Sequence, residues 1–117
     1  MKLLSRDFFL RNPLIVAPEL LGKILTRKFN GIIISGRIVE VEAYLPSGDE
    51  AAHGFKGLTK RNLSLFKEGG HAYIHQIHKQ NCFDIVAEKA NIPAGILIRA
   101  LEPLQGIDLM KKFRDKE

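Results

Sequence analysis

KILTRKFNGIIISGRIVEVEAYL, residues 23–45, decides the fold. Two runs rich in aliphatic and β-branched residues flank Asn30-Gly31, and Asn-Gly between such runs is the strongest short signal for a two-residue hairpin turn. Within the second run, side chains two apart share a strand face, about 7 Å from one another. One face reads Val39, Val41, Ala43 and Leu45, which suits a core. The other carries Glu40, Glu42 and Tyr44. A wetted outer face accounts for such alternation in any half-buried strand. Glutamate is a poor strand former, however, and two of them beside a phenol raise the question of chemistry.

Upstream, Asn12-Pro13 opens a helix, since Asn caps and Pro fits the first helical position. The segment LIVAPELLG then spaces Leu14, Ala17, Leu20 and Leu21 helically and closes on Gly22 as a C-cap. Pro18, inside this run, is expected to kink or restart it. Downstream, residues 46–70 hold five glycines, and the helix expected there is short, capped by Thr59 and running to about Phe66. A loop of that length inside a compact domain is more often functional than idle. Two extended runs follow, HAYIHQI and CFDIVAE, joined near residues 78–81. A third, AGILIRALEP, begins after Ile92-Pro93, and QGIDLMKKFRDK predicts an amphipathic helix with Ile107, Met110 and Phe113 on one side. The reading is α+β: a mostly antiparallel curved sheet with peripheral helices and a protruding hairpin, one domain over residues 1–117.

Composition narrows the function classes. The 117 residues are 45% hydrophobic and 26% charged, ordinary for a soluble domain, and no apolar run reaches membrane-spanning length. The opening MKLLSRDFFLRN is broken by Arg6 and Asp7, unlike a signal peptide. One cysteine, Cys82, cannot form an internal disulfide and fits a reducing, cytoplasmic setting. A net charge of +5, spread through pairs such as Arg27-Lys28, Lys60-Arg61 and Lys111-Lys112, suits a polyanionic partner.

Three groups of residues could carry chemistry. Glu40, Glu42 and Tyr44, with His53 a few residues on, offer a carboxylate to act on water and flat side chains to stack on a planar ligand. His71, His75, His78 and Cys82 have metal-ligand character, but in a strand His78 points away from His71 and His75. Glu40 and Glu42 as an acid–base pair would have to flank a scissile bond, which parallel neighbours on one strand do not do.

LLGKILTR, GRIVEVEAYL, GDEAAH, TKRN, GHAYIHQIH, NCFDIV and GILIRALEPLQG, in this order, resemble the alkyladenine (3-methyladenine) DNA glycosylase family over residues 14–110. The resemblance implies a base-excision repair enzyme that flips a damaged purine from duplex DNA and hydrolyses its N-glycosidic bond. It implies no cofactor, a monomer, and a cytoplasmic, nucleoid-associated location. Glu42 would be the general base and Arg99 would help position the water. Tyr44 and His53 would wall the base, and Glu40 would be structural. The hairpin from His75 to Cys82 would enter the minor groove, with Arg61 as a further DNA contact.

Several positions depart from the family pattern. His75 stands where a second stacking tyrosine is usual, and Asp84 where an asparagine is usual, so damage specificity is expected to differ. The wedge at the hairpin tip falls to Ile77 or His78. Family members also continue well beyond LEPLQG. Two other readings stand beside this one: a truncated DNA-binding remnant that does not cleave, which rests on the same resemblance, and a zinc-site protein using the group His71, His75 and His78 with Cys82.

Overall fold

The computed structural model describes residues 3–47, 57–77 and 80–115. His53 and His78 lie outside them. Five strands form one curled antiparallel sheet: β1 (Ile24–Phe29), β2 (Ile32–Tyr44), β3 (Ala72–Ile77), β4 (Gln80–Ala87) and β5 (Ala94–Gln105), in the spatial order β1-β2-β5-β4-β3. Three α-helices accompany it: α1 (Arg6–Phe9), α2 (Pro13–Leu20) and α3 (Ile107–Asp115), with a 3₁₀ helix at Leu63–Phe66. The α+β expectation holds.

The Asn30-Gly31 turn joins β1 to β2 with Phe29 facing Ile32, and both turn residues have positive φ, 48° and 80°. That pair of left-handed residues matches the right-handed twist of the strands it joins. At α2, the Asn12 side chain accepts from Leu14 N at 2.8 Å, and Pro13 opens the helix. Pro18 does not break the eight-residue helix, which ends at Leu20 with Gly22 at φ 87° just beyond. A helix so short is unstable alone. Val16, Ala17 and Leu20 hold it against Ile38, Ile85, Ala87, Ala94 and Ile96, all at most 9% exposed. Each fully buried aliphatic side chain of this kind contributes about 1.5–3 kcal/mol.

The strand alternation needs one correction. Val39, expected in the core, is 47% exposed. Ile38 faces Leu101, Glu40 faces Ala100 and Val41 faces Ile98. Val39 is therefore an extra residue in β2, and Arg99 an extra residue in β5. These back-to-back bulges shift the register, so Ile38 serves the core in its place, while Val41 and Ala43 pack against the core as expected. The expected helix at Thr59 is also shorter than predicted. Thr59 and Asn62 instead bond reciprocally, Thr59 N to Asn62 Oδ1 at 2.7 Å and Asn62 N to Thr59 Oγ1 at 3.3 Å, ahead of the 3₁₀ turn. The second hairpin is tighter than expected, with Gln80 and Asn81 already in β4.

Candidate active site

Residues paired across an antiparallel sheet share a face. Glu42 lies opposite Leu97, Leu97 opposite Asp84, and Asp84 opposite Tyr73. That row runs across four strands, on the side away from α2. Tyr44 and Gly95 form the next row. The face therefore gathers Glu42 and Tyr44 from β2, Arg99 from β5, Asp84 from β4, and Tyr73 and His75 from β3.

Glu42 is clamped on both oxygens. The Tyr44 hydroxyl donates to Oε2 at 2.6 Å, and Arg99 Nη1 donates to Oε1 at 2.6 Å. The β5 bulge explains the second contact: an extra residue re-aims its side chain, here across to β2. These two donors, Tyr44 first, hold the Glu42 carboxyl below its ordinary 4.5. The same bond to Glu42, with burial behind it, raises the Tyr44 phenol to about 12. Arg99 is raised as well, by its bond to Glu42. Each carboxylate oxygen has two lone pairs, so both can still accept from a water. Glu40, an exposed neighbour two residues back, adds negative charge near Arg99.

The opposite side of the face is built differently. His75 Nε2 and Asp84 Oδ1 are 2.9 Å apart, with side chains only 10% and 6% exposed. The His75 ring stacks on Tyr73 at 4.9 Å and 21°. Tyr73 in turn packs with Leu65 and Val86, so the 3₁₀ helix braces this wall. Gly95 leaves space for it: a Cβ there would stand 2.9 Å from Asp84 Oδ2 and 3.1 Å from Leu65 Cδ1. Arg61 is exposed and near enough to Tyr73 to pull its phenol down against burial and Asp84, which raise it.

The face thus brings together Glu42, Tyr44, Arg99, His75 and Asp84, with Arg61 alongside. Ile77 closes β3, its side chain outside the described residues, as are His53 and His78. His75 pairs with Cys82 at the base of the tight hairpin. Tyr73, Gly95 and Asn62 were not singled out from the sequence, although Tyr73 sits two before His75, the spacing that puts it on the same face. Among the described residues no group of three His, Cys, Asp or Glu side chains is placed to hold a metal ion. His71 Nδ1 instead lies 2.7 Å from Glu68 O, near Arg6.

A family model described as Methylpurine-DNA glycosylase (MPG) matches residues 7–117. The chain belongs to the methylpurine-DNA glycosylase family. Curated relatives carry the name "Putative 3-methyladenine DNA glycosylase". One from Clostridium acetobutylicum is 46% identical over 116 residues, 97% of this chain and 57% of its own length. One from Methanocella arvoryzae is 45% identical, over 99% of this chain and 58% of its own length. A third, from Clostridium perfringens strain SM101, is 42% identical over 95% of this chain and 55% of its own. The chain therefore spans a little over half the length of these glycosylase relatives.

Proposed function

We propose that the chain is a monofunctional DNA glycosylase acting on alkylated or deaminated purines. The observation that carries this reading is the Glu42 carboxylate, held ionised between Tyr44 and Arg99 at 2.6 Å each on one face of the sheet. A base inside the helical stack is unreachable, so the damaged purine swings out and rests against flat side chains. Tyr44 and His75 supply two of these, and His53 a third. As the N-glycosidic bond lengthens, positive charge grows on the sugar, and the Glu42 carboxylate stabilises it electrostatically. A lowered basicity suits this order of events. Glu42 takes the proton from water only once the water has begun to bond to the cationic sugar carbon. Arg99 keeps the carboxylate aimed, and its remaining N–H donors help orient that water. A cationic alkylpurine leaves without a strong general acid, so one working carboxylate suffices.

Arg61 and the hairpin tip, through Ile77 and His78, would contact the duplex, the tip as a wedge where the base departs. The net charge of +5 favours phosphate contacts. The protein would act as a monomer in the cytoplasm, on nucleoid DNA, without a cofactor. The test is incubation of the chain with a duplex carrying one 3-methyladenine or hypoxanthine, followed by chromatography of free bases and alkaline probing for abasic sites. Free base with intact strands supports the reading. Binding without release at every pH from about 5 to 8 would leave a DNA-holding remnant instead.

A further inference from the structure

The Tyr73–His75 stack stands on β3, an outer strand of the sheet that pairs, among the described residues, with β4 alone. Strands paired on one side open locally at lower free energy than interior ones, so a wall built on β3 needs its start held. We propose that the amino-terminal segment Arg6–Phe9 is a strap that positions this wall, with Arg6 and Gly69 as positioning residues acting through His75. The inference rests on the glycosylase reading and adds the element that keeps the stacking side chain in place.

The strap is anchored in the core and closes on the loop that feeds β3. Phe8 and Phe9 pack against the buried cluster that α2 shares with the sheet. The Phe9 carbonyl accepts from Glu88 N at 2.8 Å, one residue past the end of β4. That carbonyl also lies where a side chain at Gly69 would have to stand: a Cβ there would be 2.1 Å from Phe9 O and 2.6 Å from its carbon. Glycine alone lets the two backbones approach so closely. Gly69 N donates in turn to Glu88 O at 2.7 Å, and Gly70 N to Val86 O at 2.8 Å, so strap, loop and β4 are tied together. Arg6 fastens the outside. Its Nη1 donates to Gly69 O, and its Nε lies 3.6 Å from Glu68 Oε1. His71 Nδ1, 2.7 Å from Glu68 O and 3.4 Å from Arg6 Nη1, ends this tie one residue before β3 begins. Tyr73 and His75 follow at the next alternate positions, on the face of Glu42. Glu42 itself is held by Tyr44 and Arg99 from β2 and β5, through none of these bonds. Opening the strap should therefore loosen the wall and leave the clamp intact.

The test compares the full chain with Arg6→Ala, Arg6→Lys and Gly69→Ala. Amide hydrogen exchange is read first, on the free protein. In Arg6→Ala, exchange over residues 72–75 should speed up about fivefold, as expected for losing a partly exposed charge-assisted bond, while residues 41–44 keep the parent rate. Fluorescence anisotropy then compares a duplex holding one hypoxanthine with an undamaged duplex. The preference for the lesion should fall about threefold to fivefold in Arg6→Ala and further in Gly69→Ala. Arg6→Lys, which can still donate to Gly69 O, should recover most of it. In a His75→Ala background Arg6→Ala should cost no further preference, because the two act through one wall. Unchanged exchange in β3, equal acceleration in β2 and β3, or full additivity with His75→Ala overturns the proposal. Should Gly69→Ala fail to fold by circular dichroism, the two Arg6 variants decide. Acceleration confined to β3, with no lesion preference even in the parent chain, would refute the glycosylase reading while sustaining the strap.

Discussion

Replacing Glu42 by Gln should release Tyr44 from the bond that dominates its acidity. The phenol stands at about 12 against an ordinary 10.0, and the bond to Glu42 is the largest cause. That difference corresponds to roughly 2.7 kcal/mol at most. Burial and Asp84 supply part of it, and water around the Glu42 side chain, 39% exposed, screens the rest. About 1–1.5 kcal/mol then belongs to the Glu42–Tyr44 contact itself. The chain has two tyrosines and no tryptophan, so tyrosinate absorbance resolves them in a pH titration. In Glu42→Gln one titration should fall back from about 12 toward 10.0. The other, Tyr73, has burial and Asp84 as its raising causes and should stay where it is. The sign follows from linkage. A phenol raised on folding stabilises fully below its unfolded value of 10.0 and loses that contribution as pH climbs through about 12. The parent chain should therefore lose more stability than the variant over that interval. If neither tyrosine moves, or both move equally, the clamp does not exist as described.

Other outcomes follow from the same geometry. Arg99→Lys keeps a charge but loses the planar fork from the β5 bulge, and base release should slow by about tenfold or more in single-turnover assays. Because Glu42 is held below 4.5, release of a cationic base should not decline from neutrality down to that pH; a decline centred near pH 6 would point to a histidine instead. Gly31→Ala meets no atom within 4 Å, so its cost is purely that of φ 80°. A loss of about 1 kcal/mol, roughly 5 °C in Tm, is expected by calorimetry.

The local features were legible because their causes are local. Asn30-Gly31 announced the first hairpin, and Asn12-Pro13 the start of α2, since a turn and a cap depend on the residues that form them. Val39 went to the wrong face because period-2 reasoning assumes an unbroken ladder. The bulges beside it arise from how β2 and β5 fit together, and neither run contains that information alone. Asp84 and His75 were each visible as departures from the family pattern. Their pairing was not, because Asp84 lies opposite Tyr73 and reaches His75 diagonally, a relation created by the register. The bracing by Asn62 and Leu65 was hidden for the same reason, in a glycine-rich stretch with weak periodicity. Glu42 and Tyr44 were visible on one face of their strand and Arg99 only through motif resemblance, and the sheet brings Tyr44 and Arg99 each within hydrogen-bonding distance of Glu42.

The most direct measurement is the single-turnover rate of 3-methyladenine release from duplex DNA by the parent chain and by Glu42→Gln, with duplex binding measured alongside. The clamped carboxylate predicts that the variant binds about as well and releases base on the order of 100-fold more slowly or not at all. Equal rates from the two proteins would mean that the chemistry resides somewhere other than on this face of the sheet.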